Sequence, residues 1–102
     1  MEIVKQVLWW LIAGSRGGLN RARMILALHT RPYNANQLTR LTGLDYKTVR
    51  HHLEVLRKHH VITAMGEDYG TMYFLSDSMK TNFNDFLDIW KQVEISGNGT
   101  EE

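Results

Sequence analysis

The spacing of apolar residues along the chain predicts a series of short helices followed by one change of period. Residues 2–13 carry apolar side chains at helical intervals, and the glycine-rich segment Gly14–Gly18 then ends this helix. A second helix is predicted over Leu19–Thr30, because Pro32 lies just beyond its end. The apolar face of this second helix consists of Ala22, Ile25, Leu26 and Leu28.

A third, short helix is marked by signals at both ends. Asn34 can cap its first turn, and Gln37, three residues later, can complete a capping box. Gly43 suits the left-handed conformation that closes many helices. Leu38 and Leu41 are the two positions of this helix that we expect to be buried.

A fourth helix follows almost at once. Asp45 is a favourable N-cap, and the helix is predicted to extend to about Lys58. One continuous buried stripe along this helix consists of Tyr46, Val49, Leu53 and Leu56. Two short helices joined by a tight, glycine-containing turn form a helix-turn-helix unit.

The period then changes from helical to extended. Val61–Met65 and Thr71–Ser76 are rich in β-branched and aromatic residues, and five residues with two glycines separate them, which predicts a hairpin. Asp77 or Ser78 then caps a last amphipathic helix. Its apolar positions are Met79, Phe83, Phe86, Leu87, Trp90 and Val93. The predicted fold is therefore mainly α with a small β-hairpin: a winged helix-turn-helix with an additional helix at each end.

Composition sharpens this interpretation in two ways. The 102 residues fit one domain, and the absence of cysteine excludes disulfides and thiolate metal sites. The apolar run Val7–Ala13 is too short to span a membrane. The weaker alternative is a signal peptide with Lys5 as its basic start, but the run is short for one and Arg16 follows at once, so we expect a cytoplasmic protein without membrane association. The net charge of +1 hides an asymmetry, because residues 15–76 hold nine Lys and Arg against four acids. A basic centre between acidic ends is the electrostatic pattern of a polyanion binder.

The stretch GLNRARMILALHTRPYNANQLTRLTGLDYKTVRHHLEVLRKHHVI, followed by YGTMYFLS, resembles archaeal winged-helix regulators of the ArsR type. Within it, LDYKTVRHHLEVL matches the recognition-helix pattern of that family. The resemblance implies a homodimeric, sequence-specific transcriptional regulator that binds double-stranded DNA. We accordingly divide the chain into an N-terminal helix (1–14), a DNA-binding domain (15–76), a C-terminal dimerisation helix (77–96) and a disordered polar tail (97–102).

The candidate DNA contacts follow from the faces of the 45–58 helix. Lys47, Arg50 and His51 lie opposite the apolar stripe, with Thr48 at the margin, and the N-terminal part of such a helix reaches base edges. Further candidates for backbone contact are Asn36, Gln37, Arg40, Lys58, Tyr69 and Thr71. The wing tip carries Glu67 and Asp68, so we expect the wing to have a minor role. The alternative for the candidate contacts on the 45–58 helix is that they only solvate an exposed helix face.

The terminal helices carry more aromatic surface than so small a core needs. We therefore expect a homodimer. The candidate interface residues are Val7, Trp9, Trp10, Phe83, Phe86 and Trp90. The alternatives are a monomer with both helices folded inward and, for function, a winged-helix module that binds other proteins. The sequence does not identify a small-molecule effector.

No catalytic motif, cofactor motif or metal-ligand pattern is visible, so we expect no enzymatic activity. His51-His52 and His59-His60 are adjacent pairs, whereas helical ligand pairs work best three or four residues apart. His59 or His60 is better explained as a partner of a helix C-terminus. His51 near phosphates would strengthen DNA binding on protonation. Arg21 and Arg23 add positive surface charge for DNA, or could equally form surface ion pairs that contribute little.

Overall fold

The computed structural model describes residues 5–100, with all of their side chains except those of Tyr69 and of residues 95–100. The first part of the predicted N-terminal helix and the last two residues of the predicted tail lie outside this range. The helices are α1 (Lys5–Ile12), α2 (Gly18–Thr30), α3 (Ala35–Thr42), α4 (Tyr46–Lys58), α5 (Asp77–Thr81) and α6 (Phe83–Thr100). The strands are β1 (Tyr33–Asn34), β2 (Ile62–Met65) and β3 (Met72–Leu75).

The strands form one antiparallel sheet in the order β1-β3-β2. The predicted hairpin is present, with Ile62 opposite Leu75 and Met65 opposite Met72. The third strand was not predicted. With only two residues, β1 is too short to show alternation, and it pairs with β3, which is distant in sequence. The mainly helical winged helix-turn-helix architecture is confirmed.

A single apolar core joins all six helices and the hairpin. Its largest fully buried side chains include Leu8, Leu11, Met24, Ile25, Leu38, Leu53, Leu56, Met79, Phe86 and Ile89. Burying one such side chain stabilises the fold by roughly 1.5–3 kcal/mol before entropy is counted. Because α4 supplies several of these side chains, its orientation is fixed by the core. No helix within the described residues is long and apolar enough to cross a membrane.

Two predicted core positions are wrong. Leu41 is 50% exposed, because α3 buries the side that carries Ala35, Leu38 and Thr42. Leu41 lies about 100° around the helix from Thr42, beyond the edge of that side. Tyr46 is 37% exposed, because it is the first residue of α4 and borders a cleft rather than the core.

The C-terminal part also differs from the prediction. Ser76, rather than Asp77 or Ser78, is the N-cap of α5, since its hydroxyl accepts from the backbone N–H of Met79 and donates to the carbonyl of His60. Asn82 then separates α5 from α6, so the single predicted helix is two helices. Helix α6 extends to Thr100, into the predicted tail, because helical hydrogen bonding propagates even through residues of poor propensity once a helix is established.

Candidate nucleic-acid interface

Helix α4 is held rigidly by its inner side and its first turn. Val49, Leu53 and Leu56 are fully buried, as predicted. Asp45 caps the helix, with its carboxylate accepting from the backbone N–H of Thr48 at 2.9 Å. Hydrogen bonds from the Thr48 side chain and backbone hold the pKa of the Asp45 carboxyl below its usual value. The start of the helix is therefore fixed at neutral pH.

The opposite edge of α4 is open to solvent. Lys47, His51 and Lys58 are exposed, whereas Thr48 and Arg50 are half-buried at the margins. Glu54 is also exposed and is the one acid among the residues of this helix. The structure thus places the predicted reading residues together on a single surface.

Helix α3 contributes two exposed polar side chains beside α4, Asn36 and Arg40. Gln37 has a structural role instead. Its side-chain oxygen accepts from the backbone N–H of Asn34 at 2.8 Å, while its own N–H donates to the Asn34 side chain at 2.8 Å. The predicted capping box is confirmed, and it occupies the side-chain oxygen of Gln37, a candidate DNA contact. Gly43 ends the helix with φ 75°, also as predicted.

The wing tip is a tight turn with two left-handed residues. Gly66 has φ 104° and Asp68 has φ 52°, a conformation that aspartate adopts more readily than most residues. Glu67 and Asp68 are both exposed, and Thr71 is half-buried. The side chain of Tyr69 lies outside the described ones.

A cleft of about 450 Å³ separates α4 from the wing. Its lining includes Arg57 and Tyr46 of α4, which the sequence analysis did not propose as binding residues, together with Arg50 and Thr71, which it did. Arg57 follows Arg50 by seven residues, two helical turns, and that spacing was the signal that could have found it.

A buried polar network lies behind α4. Arg21 is only 5% exposed and His52 only 6%, so the expectation that Arg21 is a surface charge is wrong. Arg21 Nε donates to the carbonyl of Leu11 at 3.0 Å, its Nη2 donates to the hydroxyl of Ser15, and its Nη1 lies 3.4 Å from Nδ1 of His52. The guanidinium can be buried because these acceptors, including a carbonyl at the end of α1, satisfy it.

This network affects the acid–base chemistry of His52. Burial, then the positive charge of Arg21 and the neighbouring His51, lower the pKa of the His52 imidazole. Burial also lowers the pKa of Arg21. His52 is therefore neutral at physiological pH, and its Nδ1 can accept from Arg21.

The terminal helices pack on each other and leave an aromatic surface. Trp9 and Trp10 are 42% and 49% exposed, and Val7, Phe83 and Trp90 are half-buried. Phe86 is fully buried in its own domain, so its predicted place in an interface is wrong. The helical spacing of α6 explains this. Phe86 and Ile89, three residues apart, face the core, while Leu87 faces outward.

Two ring contacts tie the terminal helices to the rest of the domain. The Trp10 ring meets His59, the C-cap of α4, edge-on with 5.9 Å between centroids. Phe83 stacks on His29 of α2, with 3.8 Å between ring centroids.

Among the described residues, no group of three or more His, Cys, Asp or Glu is arranged to hold a metal ion.

Residues 20–63, from α2 to the start of β2, match the model of the family described as bacterial regulatory protein, arsR family. The fold is a winged helix-turn-helix, and this segment of it is similar to that family. No curated protein matches the sequence.

Solved winged-helix structures share the fold at low sequence identity. BpsR from Bordetella bronchiseptica is 15% identical with a TM-score of 0.70, over 96% of this chain and 74% of that one. A probable transcriptional regulator from Pseudomonas aeruginosa is 20% identical with a TM-score of 0.71, over 96% and 76%. A homodimeric DNA-binding domain from Mycobacterium bovis, a possible ArsR-family regulator, is 13% identical with a TM-score of 0.60, over 96% and 82%. All three are bacterial, and the archaeal part of the expected resemblance stays a prediction.

Proposed function

We propose that this protein is a transcriptional regulator of the ArsR type that binds double-stranded DNA sequence-specifically through residues 15–76. The observation that supports this most directly is α4 itself, a helix fixed by a buried stripe with a basic, unobstructed opposite edge. A helix of this kind fits the major groove of B-DNA. The family match over residues 20–63 covers this helix and the one before it.

The candidate contacts divide by chemistry. Arg50 can bind a guanine through two hydrogen bonds, and Thr48 can contact a base edge or a thymine methyl group. Lys47 and Lys58 suit phosphates, which fix the register without reading sequence. Asn36 and Arg40 of α3 suit the backbone that the first helix of such a unit crosses.

We further propose that the protein acts in the cytoplasm as a homodimer joined through α1 and α6. The exposed Trp9 and Trp10 favour this, because a patch of large apolar side chains on a small domain is typical of an interface. The structurally similar domain from Mycobacterium bovis is described as homodimeric. A two-fold axis can set two copies of α4 about 34 Å apart, one turn of B-DNA.

Selection of genomic fragments by the purified protein tests sequence-specific binding and returns the operator. We expect enrichment of a pseudo-palindromic site whose affinity falls steeply with salt, because each neutralised phosphate releases counterions. Arg50→Ala should flatten the preference at one base position in each half-site, at a cost of roughly 1–3 kcal/mol. Enrichment of no sequence, with Arg50→Ala equal to wild type, would contradict the proposal.

The second candidate is a protein-interaction module, which the acidic wing residues Glu67 and Asp68 favour. In that case the affinity for duplex DNA is weak and shows little salt dependence. Measuring the affinity for duplex DNA at several salt concentrations therefore separates the two functions.

A further inference from the structure

The cleft between α4 and the wing has one basic wall. Tyr46, Arg50 and Arg57 all border it from α4, at intervals of four and seven residues that keep them on one side of the helix. Within the part of the chain that the structure describes, neither guanidinium has a hydrogen-bond or ion-pair partner. Two unpaired guanidinium groups on one concave surface form an attractive site for an anion with several oxygen acceptors.

The opposite wall comes from the wing and the sheet. Thr71 and Tyr73 border the cleft from the β3 side, and Asp68 borders it from the wing tip. The Thr71 hydroxyl can donate a hydrogen bond, whereas the Asp68 carboxylate can only accept and repels an anion. The cleft therefore combines two guanidinium groups and at least one hydroxyl donor with one opposing charge.

The geometry of B-DNA identifies the anion. A major groove and the minor groove beside it are separated by one sugar–phosphate strand. If α4 occupies the major groove and the wing extends toward the neighbouring minor groove, the strand between the two grooves passes between α4 and the wing. Resting on the proposed function, we propose that this cleft holds a backbone phosphate of that strand, bound by Arg57 together with Thr71, and that Asp68 weakens this contact. The positive charge of Arg50 adds to the attraction from the same wall, while its hydrogen bonds go to the base.

Arg57→Gln tests the basic wall, with Lys80→Gln as a control that removes one exposed positive charge from α5. The probe is a mixed-sequence duplex, because a phosphate contact does not depend on the operator. We expect Arg57→Gln to lower the slope of log affinity against log salt by about 1 per protomer. Between 1 M and 0.1 M salt, this change in slope corresponds to roughly eightfold weaker binding per protomer. Lys80→Gln should leave both quantities nearly unchanged.

Asp68→Asn and Glu67→Gln test the opposing charge. Both remove one negative charge from the wing tip, but only Asp68 borders the cleft, and asparagine tolerates its left-handed conformation. We expect Asp68→Asn to tighten binding several-fold and Glu67→Gln to have a much smaller effect, because the interaction is local.

The outcomes separate this inference from the proposed function. Wild-type protein without salt-dependent affinity for the duplex would overturn both. Wild-type binding with Arg57→Gln equal to Lys80→Gln, in variants with unchanged melting curves, would overturn the phosphate site alone. Equal effects of Asp68→Asn and Glu67→Gln would overturn the role of Asp68, since a remote field acts on both alike.

Discussion

His51 and His52 are adjacent in sequence but have opposite environments. His51 is exposed on the edge of α4 that faces the proposed DNA, whereas His52 is buried against Arg21. Their ring centroids are 5.9 Å apart. Protonation of His52 would place a second cation beside a buried guanidinium. One helix thus carries two adjacent histidines in different environments.

The burial of His52 predicts a loss of stability in mild acid. Its pKa is lower in the folded protein than in the unfolded chain, so the unfolded chain takes up the proton first as the pH falls below about 6.5. The stabilising effect of neutral His52 is complete above that pH and is lost as the pH falls toward the lowered pKa. We expect the melting temperature of wild type to fall over this range by more than that of His52→Gln, whose side chain can still accept from Arg21.

His51→Gln is the matched control for this measurement. Because His51 is exposed, its replacement should keep most of the wild-type drop in melting temperature with acid. If His52→Gln and wild type lose stability in parallel, the acid sensitivity arises from other groups and the prediction is wrong.

At the scale of elements, the features that could be predicted from the sequence are those set by residues close together along the chain. The capping box at Asn34, the left-handed Gly43 and the buried stripe of α4 depend on residues within one or two turns. The first two are confirmed, and the stripe is confirmed at Val49, Leu53 and Leu56 but not at Tyr46. Strand β1 could not be predicted, because its pairing with β3 is long-range. The break at Asn82 was equally invisible, since the apolar spacing continues across it while the Ser76 cap starts a separate helix.

The close approach of α2 to the end of α1 requires a glycine at position 18. A Cβ at this position would lie 1.8 Å from the carbonyl oxygen and 2.6 Å from the carbonyl carbon of Ile12, both backbone atoms. Since no side-chain rotation relieves that contact, the two helices must separate. We expect Gly18→Ala to lower the free energy of unfolding by roughly 3 kcal/mol, measured by denaturant titration.

Gly70→Ala provides the comparison. A Cβ at Gly70 meets nothing within 4 Å and its φ is not in the left-handed region, so the free energy of unfolding should change little. A Gly18→Ala variant as stable as Gly70→Ala would show that α1 can move away from α2 at no cost.

At the scale of the whole molecule, the sequence separated exposed from buried faces within a helix better than it located contacts between helices. The open edge of α4 was predicted from angular spacing alone. Arg57 in the wing cleft and Arg21 in the core were missed, because their environments are set by other elements, the hairpin for one and the end of α1 for the other. The prediction that Phe86 lies in an interface was wrong for a related reason. An aromatic residue on a terminal helix suits a core or a partner equally well, and the sequence does not show which of the two covers it.

The assembly can be tested with two leucines of similar exposure. Leu87 is 39% exposed in a shallow groove along α6 that Trp90 also lines, whereas Leu41 of α3 is 50% exposed on the helix-turn-helix. If copies associate through α1 and α6, Leu87 is buried twice across the two-fold axis. Leu87→Gln should then raise the dimer dissociation constant roughly tenfold or more, by sedimentation equilibrium, because a buried leucine contributes about 1.5–3 kcal/mol.

Leu41→Gln should leave the dissociation constant within error of wild type, because the proposed interface does not include α3. The pair of variants also distinguishes association from folding, since both replace a partly exposed leucine by the same polar residue. A monomeric wild type at micromolar concentration, or equal weakening by both variants, would exclude the terminal helices as the dimer interface. Two recognition helices would then have to be brought to DNA by separate molecules, and the operator would lose its two-fold symmetry.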